Sequence, residues 1–464
     1  SDVYKRQIKR VNGKGESMTF ENKGKENNGA TYGRRSDWQN LYTIAKKYYE
    51  ALLADPGNAL FHLTDPRGAS DKSGRTFNNP YQYFFEQMHM DDAIYADESI
   101  YEYPMQQGGG NDGRPYSFGR PSSGGSKAAY PCKSYGQGRI NPAYFYGVFD
   151  PNDMRRDVSI TMTGSNGKGV EKLIPFVPNS KAEGGGLTLN KWDENRQANP
   201  WVAAQRKSGI NGPYMRMSEV YLGYAEVCAA LGDVVTGKQY LKTVRERSFP
   251  QGLADTDGFI ASFGNDLVRA IIEERGFEYA GEGDRRWTLI RSGYLPEDIK
   301  RIKDMTKAMM DGLATKGYYE FENGNIISAY IWTKLVDAKT IYGHRLTAQC
   351  PTDKVNDPVL YPGWRGQKDN WEEMGLNYGN SAPATNLAIK GLFEIVSEEE
   401  AASLESQGYA KVNWGIDLVD YRDEYDKYLF WDYDYVSAPI YLWPFTPNVM
   451  AAGGFTNGYG FKQE

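Results

Sequence analysis

The sequence predicts a mainly α fold, with helical hairpins of tetratricopeptide-like length packed against a loop-rich region that carries a few short strands. Two observations predict the helices. Apolar residues recur at three- and four-residue steps over Leu41–Leu52 and again over Met217–Leu231. The second stripe is followed by a turn at Gly232-Asp233 and a returning stripe of Tyr240, Leu241 and Val244. A third observation predicts the loops: 51 glycines, many of them clustered with prolines between the periodic segments.

Taken in chain order, residues 1–36 read as an irregular or artificial end. They start Ser1-Asp2-Val3-Tyr4, with no initiator Met and no apolar leader. The first helix spans about Asp37–Ala54, with Asp37 as N-cap and Asp55-Pro56-Gly57 as stop. A second covers Pro80–Met90. Residues 104–142 read as loop, broken by Gly108-Gly109-Gly110 and Gly124-Gly125. Short strands are expected near Val158–Thr163 and Lys172–Val177. Gly164-Ser165-Asn166-Gly167-Lys168-Gly169 lacks the spacing of a phosphate loop and reads as a hairpin turn.

The clearest helical block is 214–291. Its two antiparallel helices, ended by Pro250, have about the 34-residue length of a tetratricopeptide hairpin. A third helix follows over Asn265–Ala280, with Leu267, Val268, Ile271 and Ile272 inward. The remainder, 340–464, alternates loops with short helices such as Ala384–Ile395 and Glu398–Gln407.

Composition excludes several function classes. The chain has 464 residues, 54 Lys+Arg and 60 Asp+Glu, for a net charge of −6. Mild acidity without basic blocks argues against nucleic acid as a partner. No run approaches the roughly 18 apolar residues of a spanning helix. Three cysteines give neither a disulfide framework nor zinc-ligand spacing, and Cys228 reads as a small core residue. His89-Met90-Asp91-Asp92 reads as a solvated helix end rather than a cation site. No nucleotide, metal or other cofactor motif is present in the sequence. The unusual residues are aromatic: 35 Tyr, 19 Phe and 10 Trp.

Several motifs occur in a recognisable order. Phe149-Asp150-Pro151-Asn152-Asp153-Met154-Arg155-Arg156-Asp157 comes first. Tyr214-Met215-Arg216-Met217-Ser218-Glu219-Val220-Tyr221-Leu222-Gly223-Tyr224-Ala225-Glu226 follows, then Val244-Arg245-Glu246-Arg247. Next come Glu273-Glu274-Arg275-Gly276-Phe277-Glu278-Tyr279 and Gly281-Glu282-Gly283-Asp284-Arg285-Arg286-Trp287-Thr288-Leu289-Ile290-Arg291. Near the end stand Leu442-Trp443-Pro444-Phe445 and Asn457-Gly458-Tyr459. Order and spacing resemble the SusD/RagB family, outer-membrane lipoproteins of Bacteroidetes that capture nutrients at the cell surface.

The resemblance implies a SusD-like domain over 37–464. Its helical-repeat parts lie at about 37–64 and 214–291, its loop-rich ligand-binding parts at about 95–210 and 340–464. It implies a non-enzymatic, surface-exposed lipoprotein that binds an oligosaccharide or polysaccharide and acts as a lid on a SusC-like TonB-dependent transporter. It also implies a signal peptide, a lipidated cysteine and further helices before the helix at 37–54. On that reading the chain begins part-way into the protein, and membrane contact is only through a lipid anchor that this chain lacks. A RagB-like peptide binder, a helical glycoside hydrolase and a protein-binding scaffold are the alternatives.

Two chemistries compete for the site. Glu273, Glu274, Glu278, Glu282 and Asp284 are spaced closely enough to suggest paired catalytic carboxylates. They are interleaved with Arg275, Arg285, Arg286 and Arg291, which depress carboxylate pKa values, the wrong direction for a general acid. A structural ion-pair network is the preferred reading.

Aromatics on loops suit sugars better. A flat ring excludes water from the C–H face of a sugar, while Asn, Asp and Arg bond its hydroxyl rim. One such cluster holds Asn111, Arg114, Tyr116, Phe118, Tyr130 and Tyr135, in a region where the family places some of its stacking aromatics. A second holds Trp364, Trp371 and Tyr378. These nine are the candidate ligand contacts. Tyr221, Tyr224, Trp287 and Trp443 are expected in packed motifs.

Overall fold

The computed structural model describes residues 18–19, 31–32, 37–66, 79–88, 96–106, 113–123, 133–165, 171–179, 184–193, 208–337, 385–429 and 446–454. A small pair, β1 (Met18–Thr19) and β2 (Thr31–Tyr32), precedes the first long helix. Helix α1 (Trp38–Ala54) buries Leu41, Tyr42, Ala45 and Tyr49, a face turned from the predicted stripe of Leu41, Ile44, Ala45, Tyr48 and Leu52, of which Tyr48 is exposed. Helix α2 (Pro80–Gln87) buries Tyr81, Phe84 and Phe85. Strand β3 (Ser99–Tyr103) follows. A short helix, α3 (Gly113–Phe118), then stands inside the stretch that composition reads as loop.

A single π-helical turn, Tyr144–Val148, drives Phe145 and Tyr146 into the main core. Helix α4 (Arg155–Ser159) occupies the start of the strand expected at Val158–Thr163. The Asp153 carboxylate accepts the Arg155 backbone N–H at 3.0 Å, and the Arg155 side chain is drawn inward by buried acids, so tertiary pairing overrides local β preference. Strands β4 (Ile160–Thr161), β5 (Thr163–Ser165) and β6 (Glu171–Leu173) come next. β5 and β6 pair antiparallel, so the glycine-rich stretch that links them joins the two arms of a hairpin. β7 (Thr188–Leu189) pairs with β4.

Strand β8 (Gly212–Arg216) pairs antiparallel with β3 and corrects the helical reading of the block from residue 214. The helix begins only at Met217. Helices α5 (Met217–Ala230) and α6 (Val234–Ser248) form the expected hairpin, with the Asp233 carboxylate accepting the Thr236 N–H at 3.2 Å. α7 (Thr256–Ala261) and α8 (Leu267–Glu278) are capped the same way by Asp255 and Asp266. α9 (Asp284–Ser292) and the long α10 (Leu295–Lys316) complete the helical half.

The hairpin of β9 (Tyr318–Glu320) and β10 (Ile326–Ser328) leads into β11 (Tyr330–Asp337). β11 is the centre of a three-stranded antiparallel sheet, between β12 (Thr385–Lys390) and a later strand. β12 corrects the helix expected at Ala384–Ile395. Leu387, Ala388 and Ile389 are all buried, and a strand covered on both faces gives a continuous apolar run that periodicity cannot tell from a helix. Helix α11 (Glu398–Ser406) forms as expected, and β13 (Ala410–Asn413) closes the sheet. Short helices α12 (Gly415–Asp420), α13 (Arg422–Leu429) and α14 (Pro447–Gly453) end the description.

Two of the six centres of packing among the described residues organise the two halves. Trp414, fully buried, donates its Nε1–H to Tyr146 Oη at 2.8 Å and anchors the core between the sheet, α10 and the π-helical turn. The hairpin helices hold the other, where Leu222, Ala225, Leu241, Val244 and Ile271 are sealed from water. Cys228 is buried in the neighbouring cluster between α1 and α5, with Ala45, Tyr49 and Val220. Among the described residues no helix is long and apolar enough to cross a membrane.

Candidate ligand-binding cleft

The acidic motif of α8 is buried and saturated with arginine. Glu274 accepts hydrogen bonds from Arg155 and Arg245, both at 2.7 Å. Glu278 accepts from Arg155 at 3.0 Å, from Arg216 at 2.5 Å and from Arg247. Glu98, from the loop before β3, bridges Arg216 and Arg247. Glu273 accepts from Arg285 at 2.8 Å and Arg301 at 2.7 Å.

Burial by itself pushes the Glu273 carboxyl up, but Arg285 and Arg301 outweigh it and hold the group down at about 2. Burial is likewise outweighed at Glu278, where Arg247, Arg216 and Arg155 hold the carboxyl well below the usual range. Such groups stay ionised at neutral pH and cannot serve as general acids. The structure thus makes this motif the ion-pair network that the interleaved arginines predict, tying α8 to α4, α6, β8 and α9.

Above one edge of this network lies a cleft of about 1030 Å³. The β3–β8 ribbon forms one wall, through Tyr103 and Tyr214. Helix α3 forms another, through Arg114 and Phe118. Arg139, Leu189 and Trp192 line the third side, and Arg216, Arg275, Glu282 and Asp284 lie at the floor. Residues two apart on a strand share a face, so Tyr101 and Tyr103 meet Tyr214 from the neighbouring strand. The ring of Tyr214 stands edge-on to both, at 5.5 and 5.4 Å. All three are exposed, Tyr214 at 58%.

The Arg114 guanidinium lies 5.7 Å from the Tyr103 ring centre and 5.9 Å from that of Trp192. Only a glycine permits this placement. A Cβ on Gly212 would sit 1.3 Å from Arg114 Nη1. The cleft therefore combines aromatic faces with fixed cationic donors and a few acceptors, a lining suited to holding a polar ring-shaped ligand.

A model described as the SusD family matches residues 59–444. The chain belongs to the SusD family. SusD-like protein P25 of Formosa agariphila is 28% identical over 160 residues, 34% of this chain and 26% of that protein. Among solved structures, the chain is similar to a SusD homologue from Bacteroides thetaiotaomicron, with 17% identity, 57% of this chain and 51% of that one covered, and a TM-score of 0.41. It is also similar to surface glycan-binding protein A from the same organism in complex with laminarihexaose, with 18% identity, coverage of 56% and 52%, and a TM-score of 0.39. The matches thus span about a quarter of the curated relative and about half of each solved chain.

For this SusD-family chain the nine candidate contacts separate sharply. Arg114 and Phe118 line the cleft, Phe118 at 46% exposure. Tyr116, on the same short helix, is 4% exposed and packs edge-on against Tyr135 at 5.0 Å. Tyr135 is half-buried beneath the Lys133 ammonium. The cleft includes neither of these two tyrosines. Asn111, Tyr130, Trp364, Trp371 and Tyr378 lie outside the described residues, as do Trp443, His89 and the closing Asn457-Gly458-Tyr459.

Arg120, near the first cluster, is buried against Glu171 and bonds Thr163 Oγ1 at 3.0 Å, a packing role. Trp287 corrects its expected place in the core, being 46% exposed, because α9 turns Leu289 and Ile290 inward instead. Sequence reasoning missed Tyr101, Tyr103 and Tyr214. The alternation Tyr101-Glu102-Tyr103 is a two-residue period that signals a strand with one aromatic face.

Proposed function

We propose that this protein is a non-catalytic, cell-surface glycan-binding protein. It captures oligosaccharides and delivers them to a SusC-like TonB-dependent transporter in the outer membrane, to which a lipid anchor tethers it. Membership of the SusD family supports this reading, as does the laminarihexaose bound to surface glycan-binding protein A. The observation that carries it is the cleft itself, with the exposed rings of Tyr103, Phe118 and Tyr214 beside the fixed guanidinium of Arg114. Stacking excludes water from a sugar's C–H face, and arginine donates to its hydroxyls; neither needs a perturbed acid–base pair. The carboxylates that would serve a hydrolase are instead committed to buried arginines.

Affinity electrophoresis through gels that contain laminarin and other polysaccharides tests the reading. Retardation without release of reducing sugar is expected. A protein that runs freely through every polysaccharide and binds peptides instead would replace it with the peptide-binding reading.

A further inference from the structure

Two polar atoms in the lining of the cleft are left unserved by the chain itself. Among the described residues, Trp192 Nε1 and Arg275 Nη1 are buried donors with no hydrogen-bond partner, and both residues line the cleft. The two residues are almost wholly sealed from water, at 3% and 4% exposure. Buried donors are normally satisfied, and leaving one unmade destabilises the fold.

Neither donor calls for an anion. The charge of Arg275 is already matched by Glu219 at 2.5 Å and Asp284 at 2.6 Å, so its spare N–H is a donor without a free charge behind it. The indole of Trp192 is uncharged, and its N–H only donates. A neutral oxygen with a lone pair fits both, and a sugar hydroxyl supplies one.

Trp192 is also held in place from both sides. Its backbone carbonyl accepts the Arg120 N–H at 2.7 Å. Just before it, Lys191 donates to Glu282 at 2.6 Å; just after it, the Asp193 carboxylate lies 3.7 Å from Arg120. The ring packs with Tyr81, Phe84, Phe85 and Ile210. A donor fixed this firmly in advance loses little freedom when a ligand arrives. Phenylalanine would fill the same apolar cluster without a stranded N–H, so packing alone does not account for a tryptophan here.

We propose that Trp192 is a specificity-determining residue of the cleft, its Nε1–H donating to a hydroxyl of the bound sugar, with Arg275 Nη1 as a second donor. The proposal rests on the glycan-binding reading and deepens it. Stacking accepts any ring with a C–H face, whereas a fixed buried donor distinguishes sugars by where a hydroxyl stands.

The test is affinity electrophoresis through laminarin, pullulan, galactomannan and xylan, with the parent protein beside Trp192→Phe, which keeps an aromatic ring and removes the N–H. Retardation by the polymer that holds the parent best should weaken about five-fold, the scale of one hydrogen bond. Weakly held polymers should change less, so that selectivity among the four narrows. The indole N–H resonance that Trp192→Phe lacks is then followed by NMR in the parent protein. The hexasaccharide of the best polymer should move it and leave the resonance of Trp414, already bonded to Tyr146, in place.

Equal retardation of parent and variant, or a Trp192 resonance indifferent to bound sugar, overturns the role of Trp192 and leaves glycan binding standing. Free migration of the parent through every polymer overturns both. If Trp192→Phe does not fold, Trp192→Tyr takes its place; collapse of both variants makes the indole a packing residue and overturns the proposal.

Discussion

Two neighbouring regions of this chain are built from the same residues and behave oppositely. Under α8, arginines and carboxylates interlock with almost no water access, and Glu274 and Glu278 are fully enclosed. A few residues away, the cleft between the β3–β8 ribbon and α3 keeps arginine beside open tyrosine rings. Arg216, Arg275 and Arg285 belong to both, with partners below and the cleft above. Burial and pairing decide the role, not residue type. Enclosed and matched charges fix the fold, while the exposed rings at the open edge remain available to a ligand.

The comparison breaks most easily at Glu278. Glu278→Gln leaves Arg155, Arg216 and Arg247 facing a neutral amide, and breaking a buried pair in this way costs about 3–5 kcal/mol. Urea unfolding should show a midpoint far below that of the parent protein. A small shift would mean the network is not structural.

Acid probes the same region without mutation. Glu273 sits at about 2 when folded and near 4.5 when unfolded, so its contribution is complete above about 4.5 and is lost as pH falls toward the folded value. Glu278 acts in the same direction. The melting temperature should hold between about pH 7 and 5 and then drop steeply below about 4.5. An unchanged melt at about pH 3 would contradict the pairing.

The cleft predicts the opposite pattern. Tyr214→Ala removes a ring that is 58% exposed, so the melting temperature should barely move. Retardation by a bound polysaccharide should weaken by about 1 kcal/mol, roughly five-fold, the scale of one stacking contact. Loss of stability with retained binding would place Tyr214 in the fold instead of the site.

What the sequence made legible follows from the range of the interactions involved. The α5–α6 hairpin and α8 were readable because their apolar stripes repeat within a few residues. The network was readable because glutamate and arginine alternate within one motif. Strands β8 and β12 were not, since β8 is set by pairing with Ser99–Tyr103 more than a hundred residues earlier and β12 is covered on both faces. The site was half-legible for the same reason. Arg114 and Phe118 stood out by composition, while Tyr116 shares their short helix and points inward, and Tyr214 joins them only through strand pairing.

The finest test of the boundary between the two regions is Trp287. It stands on α9, whose first residues, Asp284–Arg286, line the cleft and whose later residues, Thr288–Arg291, are buried. Its place within a family motif predicted a position in the core. At 46% exposure it keeps only part of its apolar surface from water, so Trp287→Ala should cost about 1 kcal/mol or less. Trp414→Ala is the matched control, because it removes a fully buried ring and the 2.8 Å bond to Tyr146, and should cost about 3–5 kcal/mol. Paired urea melts of the two variants decide the matter. Equal losses would mean that the sealed region extends up to the cleft edge, whereas a small loss at Trp287 alone sets the boundary within the first turn of α9.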